Sequence, residues 1–411
     1  MKMFKFHDTK YSWLRLTLTL FIGVFLNAGM WAVIAIMPMF EQELAISRSV
    51  SSAQFALNMF GFAIGNLFIG RMMDKLGVVK TVCFAAVISS VSYFLCTYTV
   101  NIYFLSFLHL ILGIGTACGF GPLITDISHW FIKNRAIAVS IVASGNYLAG
   151  VIWVPILNSI SINYGWKLTY QIMSILVILV VIPISQLLRK KLPNKAFLVA
   201  ENIVLENKKQ SKISSHTILI LLGIAGVGCC VAMSMPQVHL IQYCAELGYG
   251  PAIGAKMLSL MLFGGILSRL ISGIIADKIG AVFTLFIGST LQMLALFLYL
   301  PFDSVLSLFV VSLIFGLSQG GIVPSYAVIV REYLPSKKAG ETIGLVMMMT
   351  ILGMSLGGWL SGYIYQIFAS YNLAFVNGII WNFLNLFIII YIIIKTGKNF
   401  NLKKLLYKFY Y

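Results

Sequence analysis

Twelve times along the chain a run of about twenty or more apolar positions is closed by a short polar stretch. The runs cover approximately 14–40, 52–73, 81–99, 102–126, 136–159, 168–188, 217–245, 254–275, 281–300, 304–329, 340–366 and 373–394. A helix of about 20 apolar residues crosses the ~30 Å hydrocarbon core of a bilayer. The pattern therefore predicts an all-α membrane protein with twelve transmembrane helices. The longest polar interruption, over 189–216, opens "RKKLPNK" and divides the runs six and six. The expected organisation is a six-helix bundle over 1–188, a basic cytoplasmic linker over 189–216, a second six-helix bundle over 217–394 and a basic cytoplasmic tail over 395–411.

Composition agrees with the pattern. The chain is 60% hydrophobic and 10% charged, where a soluble domain carries about 25% charged residues. Its net charge of +17 would suggest nucleic acid in a soluble protein. Here the basic residues lie in short loops between apolar runs, as the positive-inside rule demands, so the bilayer is the expected partner and nucleic acid is not. With both termini assigned to the cytoplasm, 25 of the 29 Lys and Arg fall in cytoplasmic segments and 3 (Arg48, Lys167 and Lys256) in outer loops. The remaining one, Arg269, is assigned to membrane depth. The stretch from about Leu14 to Met39 is longer than a signal h-region and reads as a retained first span. The expected location is the cell (inner) membrane. All six cysteines fall inside apolar runs without a metal-binding spacing. No P-loop, Ser-His-Asp set or metal cluster is visible, so neither a cofactor, a metal nor an enzymatic activity is expected.

The chain repeats itself. "GRMMDKLG" (Gly70–Gly77) and "GIIADKIG" (Gly273–Gly280) share G-x-x-x-D-K-x-G, 203 residues apart. At the same offset Gly113 falls on Gly316, Trp130 on Tyr333 and Arg135 on Lys338. Two copies in one orientation predict pseudo-symmetric bundles related by an axis along the membrane normal. Gly70 and Gly77 suit a tight turn between spans 2 and 3, and Gly273 and Gly280 repeat them. Arg71, Asp74, Lys75, Asp277 and Lys278 suit a latch whose charge pairs form in one state and break in another.

The loop "GRMMDKLGVVK" resembles the signature loop of the major facilitator superfamily, and twelve spans, a basic central loop and the half-chain repeat extend the likeness over nearly the whole chain. The resemblance implies the major facilitator fold, a substrate site near the membrane midplane and transport by alternating access. A narrower resemblance lies in two segments. "HWFIKNRAIAVSIVASGNYLAG" (His129–Gly150) and "VHLIQYCAELGYGPAIGAKMLSLMLFGGILSRLISGIIADKIG" (Val238–Gly280) are similar to spans 4–5 and 7–8 of the monocarboxylate transporter and oxalate/formate antiporter group. That group's substrate-carboxylate arginine falls on Arg269. Gly265 stands where the animal branch has an Asp implicated in proton coupling. Thr350 stands where the oxalate/formate branch has a Lys, and Phe120 near a tyrosine of bacterial relatives.

Arg269 also stands out on its own. Eight residues before Asp277, it lies about 12 Å along the helix from the cytoplasmic end, and a charge at that depth costs at least ~2.5–3.5 kcal/mol. Each of the twelve acids is placed in a loop or at a helix end. The counter-charge is then a substrate carboxylate, gripped through two parallel hydrogen bonds, with Gly264 and Gly265 leaving room for it. Snorkelling, or a guanidinium resting on backbone carbonyls, is the structural alternative. His239 is a candidate for hydrogen-bonding substrate or carrying a proton. Asn27, Asn58, Phe120, Asn146, Tyr147, Gln319 and Tyr326 are candidate cavity-lining residues, each with a helix–helix role as its alternative. His109 reads as structural. Gly145 with Ala149, and Gly353 with Gly357, mark close helix contacts.

The leading expectation is a secondary transporter of a small organic monocarboxylate such as lactate, pyruvate or formate. It would act as a monomer, by proton symport or anion exchange. An amino acid or other carboxylate-bearing nutrient is the nearby alternative, and a non-transporting receptor the remote one.

Overall fold

The computed structural model describes residues 7–45, 48–193, 213–334 and 338–396. Most of the expected 189–216 linker and of the 395–411 tail lies outside these residues. Among the described residues, twelve helices are long and apolar enough to cross a membrane: Lys10–Val33, Gln54–Leu76, Val78–Cys96, Ile102–Trp130, Arg135–Ser161, Trp166–Gln186, Ser215–Leu240, Lys256–Ile279, Ala281–Leu298, Val305–Tyr333, Ala339–Tyr365 and Tyr371–Thr396. They are spans 1 to 12 below. Lipid offers no hydrogen-bond partner, so a spanning helix keeps its backbone groups paired internally.

Single glycines make the sharpest reversals. Gly77 alone separates the helix Arg48–Leu76 from Val78–Cys96, and Gly280 alone separates Pro251–Ile279 from Ala281–Leu298. Their φ values, 79° and 94°, lie in the region that only glycine enters freely.

Three spans are interrupted. Span 1 is two helices, Lys10–Leu26 and Ala28–Glu43, meeting at Asn27. Span 4 runs from Ile102–Thr116 through a 3₁₀ turn at Ala117–Gly119 into Gly121–Trp130. Span 10 stops at Gln319, passes Gly320 and Gly321, and resumes as Ile322–Tyr333. In spans 4 and 10 the interruption falls at glycines shortly before a proline, Pro122 or Pro324, which cannot donate a backbone hydrogen bond.

The chain forms two compact units. One gathers the described residues of Met1–Ile132, Val142–Phe197 and Ser336–Met348; the other those of Lys133–Ile141, Leu198–Pro335 and Met349–Tyr411. Inside the first, spans 2 and 4 and spans 3 and 6 are the main pairs; inside the second, spans 8 and 10 and spans 9 and 12 repeat them, and spans 7 and 12 pack more extensively still. The glycines that permit these pairs also repeat. A Cβ at Gly113 would overlap the Asn58 carbonyl, and one at Gly316 the Met261 carbonyl, each partner again 203 residues along.

One ion pair departs from the sequence-based assignment of charges. Arg15 and Asp126 were expected in the cytoplasmic N-terminus and at a helix end. Both lie inside helices instead, in spans 1 and 4, and Arg15 is 2% exposed. Its Nε and Nη2 donate to Asp126 Oδ2 and Oδ1 at 2.8 and 2.7 Å. Nη1 donates to the carbonyls of Leu188 (2.9 Å) and Lys190 (3.2 Å) at the end of span 6, and the guanidinium lies 4.6 Å over the Trp130 ring. Tyr11 leans on Trp130 and Trp13 on Phe131. Asp8 binds the same loop, donating its N–H to the Trp130 carbonyl and accepting at Oδ2 from the Ile132 N–H, both at 3.0 Å. Arg269 is thus not alone among buried cations: Arg331, near the end of span 10, is also 2% exposed.

A buried pair is costly to break from one side because the survivor keeps its charge. Asp126→Asn is expected to destabilise the first unit by about 3–5 kcal/mol, read as a lower melting midpoint of the purified protein. The apolar double variant Arg15→Met/Asp126→Leu is expected to recover most of the loss. A wild-type midpoint for Asp126→Asn would contradict this account.

Candidate functional site

Arg269 lies in the middle of span 8 and is 3% exposed. Its Nε donates to the Gly320 carbonyl at 3.1 Å, at the interruption of span 10. Four residues on stands Pro324, which has no N–H to offer that carbonyl, so the Gly320 oxygen is left to accept from the guanidinium. Gly264 and Gly265 do not open room for a ligand as expected. Span 10 fills the space: Gly264 lies against Leu313 and Leu317, and the Gly265 carbonyl lies where a Cβ on Gly320 would have to be.

Gln319 is wholly buried at the same interruption. Its Oε1 accepts from Gln237 Nε2 of span 7 at 2.8 Å, and its Nε2 has no hydrogen-bond partner. Tyr326 sits lower in span 10, where its hydroxyl donates to Asn385 Oδ1 at 2.9 Å. Asn385 Nδ2 donates onward to Ser289 Oγ and Asn382 Oδ1, a network that ties spans 9, 10 and 12. His239 is half-buried and donates from Nε2 to the Gly358 carbonyl of span 11 at 2.8 Å. Its ring lies 5.8 Å from that of Tyr371.

In the first unit Asn27 closes the interruption of span 1. Its Nδ2 donates at 2.8 Å to both the Gly23 and Gly119 carbonyls, joining the breaks of spans 1 and 4. Asn146 Nδ2 reaches Asn27 Oδ1 at 3.4 Å, and Trp31 Nε1 donates to the Asn146 carbonyl. Phe120 occupies the break of span 4, its ring 6.2 Å from that of Phe62. Asn58 Nδ2 donates to the His109 carbonyl at 3.1 Å, and its Oδ1 is unpartnered. Tyr147 is buried on span 5. His109 has both nitrogens engaged, by Gln54 Oε1 and the Tyr170 hydroxyl. The structure thus gathers Arg269 and Gln319 at one break, and Asn27, Phe120 and Asn146 at another. Tyr326, His239 and Asn58 lie apart from them.

Two residues at these breaks escape a reading of the sequence by residue type: Gln237 and Asn66. Asn66 is the counterpart of Arg269 at the 203-residue offset, so the repeat itself was the signal that could have found it. Its Oδ1 accepts from the Gly121 N–H at 3.1 Å and its Nδ2 donates to the Phe62 carbonyl at 2.8 Å.

The two repeated loops meet helix N-termini. In the first unit, Asp74 Oδ1 and Oδ2 accept from the Gly340 and Glu341 N–H groups, both at 2.9 Å. Arg71 adds a hydrogen-bonded ion pair to Glu341 at 3.0 Å. In the second, Asp277 Oδ1 and Oδ2 accept from the Ala136 and Ile137 N–H groups at 2.7 and 2.9 Å. A carboxylate at a helix N-terminus satisfies otherwise unpaired donors and meets the positive end of the dipole. Gly70 and Gly273 let the helices approach: a Cβ on either would overlap Gly340 or the Ile137–Ser140 turn. Lys75 is exposed and Lys278 half-buried. Asp277→Ala is expected to speed amide hydrogen exchange in a peptide covering 136–140, and Asp74→Ala in one covering 340–344. Unchanged exchange in either would contradict the capping role.

A family model described as Major Facilitator Superfamily matches residues 19–305 and 220–404. Monocarboxylate transporter 13 of Rattus norvegicus is 24% identical over 361 residues, 87% of this chain and 82% of that protein. The agnestins efflux protein AgnL12 of Paecilomyces divaricatus is 22% identical over 384 residues, 92% of this chain and 87% of that protein. Among solved structures, the human organic anion transporter MFSD10 aligns with a TM-score of 0.71 at 14% identity, covering 92% of this chain and 99% of that one. The E. coli fucose:proton symporter FucP aligns with a TM-score of 0.70 at 13% identity, covering 92% and 98%. Both alignments cover nearly the whole chain and show a shared fold.

Proposed function

The chain belongs to the major facilitator superfamily of multi-pass membrane transporters, and on that premise we propose that it carries a small organic monocarboxylate by alternating access, with Arg269 gripping the carboxylate. One observation carries the reading: a permanent cation is buried at mid-depth in span 8 and oriented by the broken backbone of span 10. A guanidinium cannot be deprotonated in a protein, and its fork matches a carboxylate. The relatives named as monocarboxylate transporters support the same class. Thr350 in place of a second cation favours a monoanion of the lactate, pyruvate or formate type.

In this reading Asn27, Asn58, Phe120, Asn146, Tyr147, Gln319 and Tyr326 line or support the path, and Asp74 and Asp277 latch and release helix ends as access alternates. Coupling is by proton symport, with His239 or the substrate carboxylate as the carrier, or by anion exchange. The protein works as a monomer in the cell membrane with both termini in the cytoplasm.

Uptake of labelled lactate and pyruvate into proteoliposomes, with and without a pH gradient, tests this. Wild type is expected to accumulate label. Arg269→Ala is expected to lose about a hundredfold in affinity, the scale of two charge-assisted hydrogen bonds. Arg269→Lys is expected to be intermediate because an ammonium cannot form the fork. Wild-type uptake by Arg269→Ala would defeat the assignment.

A further inference from the structure

The two halves of the chain act as controls for each other at the breaks of spans 4 and 10. In the first unit Asn66 closes the break, its Oδ1 taking the Gly121 N–H and its Nδ2 giving to the Phe62 carbonyl. At the same offset the second unit has Arg269 for Asn66 and Pro324 for Gly121. Arginine has no acceptor and proline no N–H. The polar tie that closes one break is dismantled from both sides in the other.

What replaces it is a set of donors. Arg269 is held to the Gly320 carbonyl by Nε. Gln319 has its acceptor Oε1 occupied by Gln237, which fixes the amide and leaves Nε2, fully buried, without a partner. Two residues on, the helix Ile322–Tyr333 begins at Gly321 with no side-chain cap, so it presents the positive end of a twelve-residue helix. Broken membrane helices use such ends to meet anionic or electron-rich groups.

We propose that the break in span 10 is a donor-rich subsite for an uncharged oxygen acceptor on the carbon next to the substrate's carboxylate, with Gln319 as the specificity-determining residue. The proposal rests on the carboxylate reading of Arg269 and narrows it. The full charge of Arg269 meets the carboxylate, while the amide and the helix end, which carry only partial charges, meet a neutral oxygen. An ammonium at the same carbon would meet the guanidinium, the Gln319 Nε2 group and the helix end, all positive or donating, and is expected to bind worst. A methylene there leaves the Gln319 amide unpaired and binds weakly, because a site built to hydrogen-bond a group discriminates against its absence.

The test is equilibrium binding of pyruvate, propionate and alanine to the purified full chain, wild type and Gln319→Leu. Propionate matches pyruvate in length but lacks the oxygen; alanine carries an ammonium in its place. Pyruvate is expected to bind wild type about tenfold more tightly than propionate, one neutral hydrogen bond's worth, with alanine weakest. Gln319→Leu is expected to bring the pyruvate-to-propionate ratio to about one, chiefly by weakening pyruvate about tenfold. A wild-type ratio near one, or an equal loss for both acids in Gln319→Leu, overturns the subsite and leaves the role of Arg269 standing. If neither acid binds wild type, the carboxylate reading fails and the subsite with it. The wild-type ratio needs no variant, so misfolding of Gln319→Leu does not spare the proposal.

Discussion

In hydrocarbon no water stands ready to complete a hydrogen bond, so an interruption of a helix is answered from within the protein or opens onto a water-filled cavity. This constraint governs the places where the chain departs from simple rods. Asn27 answers the breaks of spans 1 and 4 with one amide, bonded to the Gly23 and Gly119 carbonyls. Asn66 answers the far side of the span 4 break. Arg269 answers the Gly320 carbonyl of span 10, and in doing so brings a full charge to a site that an amide serves elsewhere.

The same need to pair donors shapes the membrane edges. The first turns of spans 5 and 11 present unpaired N–H groups, and each receives an aspartate from a repeated loop. Gly70 and Gly273 lie inside helices rather than in the turns expected of them, and they matter because the carboxylate reaches the backbone only if the helices come close together. Sequence motif, helix end and interhelical distance therefore form one unit of design, present twice.

Much of the architecture was legible because bilayer thickness imposes itself on the sequence as apolar runs of fixed length. The twelve helices fall on the twelve runs, and the duplicate is visible as matching spacing. The interruptions were not legible. Stretches such as "ACGFGP" and "QGGIVP" barely lower the apolar average, so a window tuned to span length passes over them. The ion pair of Arg15 with Asp126 was hidden for a different reason: the two stand at the edges of the runs 14–40 and 102–126, where a charge reads as a boundary. Whether such a residue is buried depends on a partner 111 positions away. Arg269 announced itself by charge, but Gln319 and Asn66 are ordinary amides until the fold shows which of their atoms are paired. Gly264 and Gly265 read as space and turned out to be contact surface, since an absent side chain looks the same in sequence whether a ligand or a helix takes its place.

The grip of Asp8, Tyr11, Trp13 and Arg15 on the loop after span 4 has a practical side. Asp8 holds that loop by both its backbone and its carboxylate, in a backbone conformation (φ 53°) that leaves little tolerance for rearrangement. Affinity handles, fluorescent fusions or scarred cloning junctions added at the amino end must therefore spare everything from residue 8 onward.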